Sequence, residues 1–220
     1  MTAWYRIDAK ADGPAATTDV YIFDEIGDSF FFGGVSASGF IQQLKAIDTA
    51  QIDLHVNSPG GNYFDGVAIM NSLRDHPAKV VVRVDGLAAS AASVVAMAGD
   101  EVVMSLGSQM MIHDAGGTAM GNSDVMQEMV AVLEKSSDSM AEIYAARAGG
   151  TVAEWREAMK AETWYTAQEA VDAGLADRVD KASQAEDIAA KFDLSIYAHA
   201  GRSAAPQPWI PARTPAAPPQ

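Results

Sequence analysis

Residues 80–99 read Val-Val-Val-Arg-Val-Asp-Gly-Leu-Ala-Ala-Ser-Ala-Ala-Ser-Val-Val-Ala-Met-Ala-Gly, and they leave few folds open. The first five are β-branched apart from Arg83, which predicts a buried strand. Asp85-Gly86 interrupts the run and predicts a turn. From Ala88 the residues are small and helix-compatible, with Gly99 placed to cap the far end. Ser90 therefore falls where a strand passes into a helix. Free N–H groups and the positive dipole end favour negative charge there, such as an oxyanion forming beside the serine. The plainer reading is a serine N-cap followed by alanines that allow close packing. A base, an acid and a second oxyanion donor elsewhere decide between the two.

The flanking chain alternates strands and helices. Residues 1–18 read as a loose lead-in, residues 20–23 as a strand and Ile26-Gly27-Asp28 as a turn. Ser36 is placed to cap a helix on which Phe40, Ile41 and Leu44 share one face. Residues 52–56 alternate as a strand does, and Asn57-Ser58-Pro59-Gly60-Gly61 is a dense turn signal. Residues 65–74 read as a helix with Val67, Met70 and Leu73 inward, ended by His76-Pro77. Short strands follow at 101–104 and 109–113. A long amphipathic helix spans about 123–147, with Gly149 past its end. Thr151-x-x-Glu154 and Thr166-x-x-Glu169 are capping boxes, with a connector at 162–165 between their helices. The second of these helices stops at Gly174. Such alternation predicts an α/β fold of βαβ units.

The chain has 220 residues, 49% of them hydrophobic, enough for one domain with a sizeable core. We divide it into a lead-in (1–18), a main domain (19–197) and a tail or linker (198–220). Six of nine prolines lie in the tail, which predicts disorder there. The net charge of −14 argues against nucleic acid and anionic membranes as partners. With no cysteine, disulfides, thiolate nucleophiles and cysteine zinc sites are excluded. The first residues lack a signal peptide's apolar run, and no stretch reaches the roughly 20 residues that span a bilayer, so a cytoplasmic location is expected.

Four histidines are present. His55 sits within a strand, His76 before a proline and His199 in the tail, all positions that suit structural or solvated roles. His113 closes a strand just before a loop, where α/β folds place their sites. Its imidazole, with a pKa near ~6.5, can take a serine proton and pass it to a leaving amine. Gly60-Gly61 after a strand can present an unobstructed backbone N–H to an oxyanion, and Ala91 N–H is the natural second donor. Glu162, Asp114 and Asp172 compete for the acid, and spacing does not choose among them.

These pieces resemble the Clp protease proteolytic subunit (ClpP), and more narrowly the ClpP-related head-maturation proteases of tailed phages. The matching residues are Asn57-Ser58-Pro59-Gly60-Gly61 with Gly66 and Ile69, Asp85-Gly86-Leu87-Ala88-Ala89-Ser90, Met111-Ile112-His113, and Glu162-Thr163-Trp164-Tyr165-Thr166-Ala167-Gln168-Glu169-Ala170. They occur in the family's order, across roughly residues 19–180. The resemblance implies a ClpP/crotonase-type spiral of βαβ units with a long protruding helix, here about 123–147, that builds contacts in a homo-oligomeric ring. It makes Ser90 the nucleophile, His113 the general base and Glu162 the acid, where housekeeping ClpP has aspartate. Oxyanion donors fall in Gly60-Gly61 and at Ala91. The implied activity is serine endopeptidase chemistry, ATP-independent or ATPase-assisted, with no cofactor or metal. The implied substrates are scaffold and capsid proteins inside a procapsid in the host cytoplasm. Residues 1–18 do not resemble the axial segment of ClpP, so docking to an AAA+ unfoldase is not expected. The alternatives are a crotonase-type CoA-thioester enzyme, which shares the fold, and a non-catalytic ring-forming module.

Overall fold

Alternation in residues 51–58 sets the centre of the sheet. Ile52, Leu54 and Val56 are fully buried while Gln51, Asp53 and His55 between them stay half-exposed. A computed structural model describes residues 4–9, 16–27, 37–184 and 192–212. Its strands are β1 (Tyr5–Ala9), β2 (Thr17–Ile22), β3 (Gln51–Ser58), β4 (Lys79–Ala89), β5 (Glu101–Leu106), β6 (Gln109–Ile112), β7 (Thr163–Thr166) and β8 (Arg178–Gln184). Its helices are α1 (Ala37–Leu44), α2 (Tyr63–Arg74), α3 (Ala91–Ala96), α4 (Ser123–Ala148), α5 (Val152–Lys160) and α6 (Ala167–Ala173). The sheet runs β1-β2-β3-β4-β5-β8, parallel except for β1, with β6 also pairing β4 and β7 antiparallel to β6. Helix residues Phe40, Leu44, Ile69, Leu73, Tyr144 and Trp155 join the inward strand residues in one core. Among the described residues, no helix is long and apolar enough to cross a membrane.

The feature that positions the site is a change of partner within β4. Residues 81–84 pair with β5, and Leu87, Ala88 and Ala89 pair with Gln109, Met110 and Met111 of β6. Asp85-Gly86, expected to turn the chain, instead lies inside the continuous strand. The register against β3 slips there, from Val56 opposite Val84 to Ser58 opposite Ala88. Two extra residues on β4 are thus absorbed as a bulge, which bends a strand without ending it. Asn57 fills the space, its Oδ1 accepting from Leu87 N at 3.1 Å. A Cβ on residue 86 would lie 2.7 Å from that oxygen, so glycine is required by close approach.

Several other expectations are corrected. The lead-in is not loose throughout: β1 pairs with β2, and Trp4 and Tyr5 are buried against Phe40. The helix after Ser90 ends at Ala96 with Met97 as its cap, three residues before Gly99. Gly99 is instead squeezed against Glu101 O and the Val82 side chain. Residues 163–166 form β7 rather than a connector, because their backbone completes the edge of β6. Val67, Met70 and Leu73 face the core as expected, with Val67 half-buried, and Ile69 joins them fully buried. Ser36 lies outside the described residues. Both capping boxes and the Gly174 stop match the sequence reading, and α4 runs one residue past Arg147.

The proline-rich composition predicts disorder from residue 198, yet residues 198–212 are packed on the domain. Arg202 makes a two-pronged ion pair with Glu169 at 2.7 and 2.8 Å. Arg202 holds the Glu169 carboxyl well below the usual range, at about 2. Tyr165 OH donates to Trp209 O, and the Trp209 ring meets Trp155 edge-on. Leu194 enters a second small core with Leu87, Ala89, Met111 and Trp164.

Asn57→Ala removes the acceptor for a buried N–H inside the bulge. Losing such a partner costs about 1–3 kcal/mol. Urea unfolding should show a stability loss of that size, and a loss well under it would mean that the bulge does not depend on Asn57.

Candidate active site

Ser90 stands at the end of β4 and His113 just past the end of the neighbouring β6. The pairing of Ala89 with Met111 and the bond from Ser90 N to Met111 O at 3.0 Å bring the two strand ends level. Ser90 Oγ and His113 Nε2 are 2.8 Å apart. Ser90 does not cap α3, since its side chain makes no capping bond. Its backbone is strained, with φ 53° and ψ −125°. For a non-glycine residue this is a sparsely populated region, and it turns the side chain out of the strand-to-helix corner. Ser93 holds the corner by donating to Ser90 O at 2.6 Å, with Tyr144 OH 2.8 Å from the Ser93 hydroxyl.

Burial pushes the His113 pKa down, and the nearby Glu162 charge partly opposes this. The imidazole is therefore neutral at neutral pH, with Nε2 able to accept the Ser90 proton when Nδ1 carries the ring hydrogen.

The expected oxyanion donors divide. Gly60, at φ 106°, presses on Ser90 and Ala91, since a Cβ there would meet Ser90 Cβ at 2.7 Å. Its N–H already donates to Ser58 Oγ at 3.1 Å, so Gly60 is corrected from a donor to a spacer. Gly61 also has positive φ (140°) and follows at the mouth of the cleft. Ala91, the first residue of α3, has no helical acceptor for its N–H. Gly61 and Ala91 line the same cleft as Ser90 and His113. Ser58, which anchors this loop by donating to Asp24 O at 2.5 Å, was not singled out from sequence, because a serine beside a proline reads only as a turn.

Glu162 is brought near but not into contact. Its carboxylate accepts from Trp164 Nε1 at 3.0 Å, Ala198 N at 2.6 Å and His199 N at 2.7 Å. It reaches His113 through charge alone. The expected hydrogen-bonded acid is thereby corrected: the carboxylate is held by C-terminal amides. Neither rival replaces it. Asp114 faces Arg156 at 3.4 Å, and Asp172 accepts from Gln168 on the surface of α6.

Ser90, His113, Gly60, Gly61 and Ala91 line a cleft of about 1160 Å³ that also takes in Pro59, Met129, Leu133 and Met140. Residues 33–183 match the Clp protease family. The chain belongs to that family. It is 33% identical over 139 residues to the ATP-dependent Clp protease proteolytic subunit 3 of Rhodococcus jostii, spanning 62% of this chain and 69% of that protein. It is also 33% identical over 151 residues to the ATP-dependent Clp protease proteolytic subunit of Ligilactobacillus salivarius, spanning 66% and 77%. A solved structure of a ClpP1 point mutant from Listeria monocytogenes aligns with a TM-score of 0.64 at 20% identity, covering 74% of this chain and 91% of that one. The protein is a Clp-type serine peptidase with the α/β fold of the ClpP structures.

The pH dependence follows from the depressed His113 pKa. Below the unfolded value of about 6.5 the unfolded chain takes up a proton that folded His113 refuses. The contribution to stability is therefore present above that pH and lost as pH falls toward the folded pKa. The rate of fluorophosphonate labelling at Ser90 should rise with pH along one limb with its midpoint below 6.5. A midpoint at or above 7 would contradict the burial of a neutral base.

Proposed function

We propose that this Clp-family chain cleaves polypeptides internally through an acyl-enzyme. Ser90 Oγ attacks the peptide carbonyl while His113 Nε2 takes its proton. The tetrahedral oxyanion is met by the N–H groups of Gly61 and Ala91. His113 returns the proton to the leaving amine, and water then hydrolyses the ester by the same route. Glu162 favours the imidazolium that forms. The observation that carries this reading is the 2.8 Å Ser90–His113 pair on a strained corner, in a cleft that Gly61 and Ala91 also line. A crotonase-type thioester enzyme needs no serine–histidine pair, and a non-catalytic module needs no strained serine.

The finer proposal is that the substrates are scaffold and capsid proteins processed during phage head maturation. The resemblance of the four motifs supports it. The matched relatives are named ATP-dependent, so the nucleotide requirement separates the two modes of action. Purified chain should cut casein and scaffold protein from its own source without ATP. Ser90→Ala and His113→Ala should each lower the rate by about 10⁴–10⁶-fold, as removal of a serine-protease nucleophile or base does. An adduct on Ser90 at undiminished rate in His113→Ala would remove the histidine from the mechanism. Strict dependence on an ATPase would overturn the ATP-independent reading.

We further propose a homo-oligomeric ring built partly by α4. Its first half leaves Val125, Met126, Val130 and Val132 exposed. Apolar side chains repeated along one helix suit burial against another copy. Met126→Glu with Val130→Glu should shift the protein to smaller species in sedimentation velocity, and an unchanged distribution would place the contact elsewhere.

A further inference from the structure

The C-terminal segment enters the cleft beside the reacting pair. Residues of the C-terminal segment, Phe192, Ile196 and Tyr197 among them, line it together with Ser90 and His113. The Tyr197 ring stands edge-on to the His113 ring, 5.3 Å between centroids. Its hydroxyl donates to Pro59 O, on the loop that carries Gly61. The side chain thus bridges the two walls between which a scissile carbonyl has to sit, within about 3 Å of both nucleophile and oxyanion donors. The next two residues engage the acid. Ala198 N and His199 N take both oxygens of Glu162, leaving its bond to the His113 ring unmade.

We propose that residues 192–199 form an autoinhibitory strap that fills the peptide site with Tyr197 and withdraws Glu162 from His113. This rests on the serine-peptidase reading of the same site. The strap is fastened outside the cleft by the Arg202–Glu169 pair and by Leu194 in its small core. Few apolar side chains hold it, and Ile196 is 75% exposed, so it can lift while the domain stays folded. Lifting it opens the cleft and frees Glu162 to accept from His113 Nδ1. The latent and competent states then differ by a local opening that a substrate or partner binding the open cleft favours.

The test uses the full chain. Fluorophosphonate labelling of Ser90 is timed for wild type, Tyr197→Ala and Arg202→Ala, with near-ultraviolet circular dichroism checking the fold. Arg202→Ala alters no atom in the cleft. Both variants should label about tenfold faster than wild type, the effect of weakening one contact that holds a closed state. The pH midpoint should also move upward in Tyr197→Ala, because Glu162 then pairs with the imidazole. A general loosening of the fold relieves the burial of His113 and moves the midpoint only up to about 6.5, whereas pairing with Glu162 carries it above 6.5. Equal or slower labelling in both folded variants, with wild type labelled readily, overturns the strap and leaves the peptidase reading standing. No labelling in any of the three overturns the peptidase reading and the strap with it.

Discussion

The exchange of partners along β4 governs the rest of the molecule. Its first half is held between β3 and β5, and its second half is handed to β6. A parallel pair of strands ending at one level puts the residues after their ends side by side, which is how Ser90 and His113, far apart in sequence, come within one hydrogen bond. The exchange needs two extra residues in one strand and a buried amide to fill the resulting gap, and Gly86 and Asn57 meet those needs. Without the bulge, β4 would stay in register with β3, and its end would no longer lie level with β6.

Strain is concentrated at this junction. Ser90 and Glu162 both have positive φ, about 50°; Ser90 lines the cleft and Glu162 lies close enough for its charge to act on His113. Such residues persist only where the surroundings over-determine them. At Ser90 the surroundings are the Met111 carbonyl, the Ser93 hydroxyl and the bulk of Tyr144 behind it. At Glu162 they are the end of α5 on one side and β7 on the other, with the carboxylate held by Trp164 and the C-terminal amides. The histidine itself is desolvated, and a neutral imidazole is the form a general base needs.

The acid illustrates how a charge is shared. Three donors around a carboxylate stabilise it more than one imidazole N–H does. While the C-terminal segment supplies two of them, Glu162 acts on His113 only through its field. The same segment closes a small core behind β6 and β7, so the wall of the active site and the cover over it belong to one stretch of chain.

Local chemistry was legible in the sequence where a residue's role depends on its near neighbours. The α/β class, the two capping boxes, the strand-to-helix corner at Ser90 and the strand-end place of His113 all follow from periodicity and spacing. Roles that depend on residues distant in the chain were not legible. Asp85-Gly86 has a turn's composition, and only the competing pull of β5 and β6 makes it a bulge. Gly60 has the freedom of an oxyanion donor, but Ser58 takes its N–H. Proline and alanine after residue 198 read as disorder, because composition says nothing of an Arg202 waiting for Glu169 or a Trp209 for Trp155. The sequence by itself determined which groups can do chemistry, since that is a property of side chains. The tertiary structure decided which of them meet, because hydrogen-bond acceptors are contested and the winner is set by what the fold brings closest.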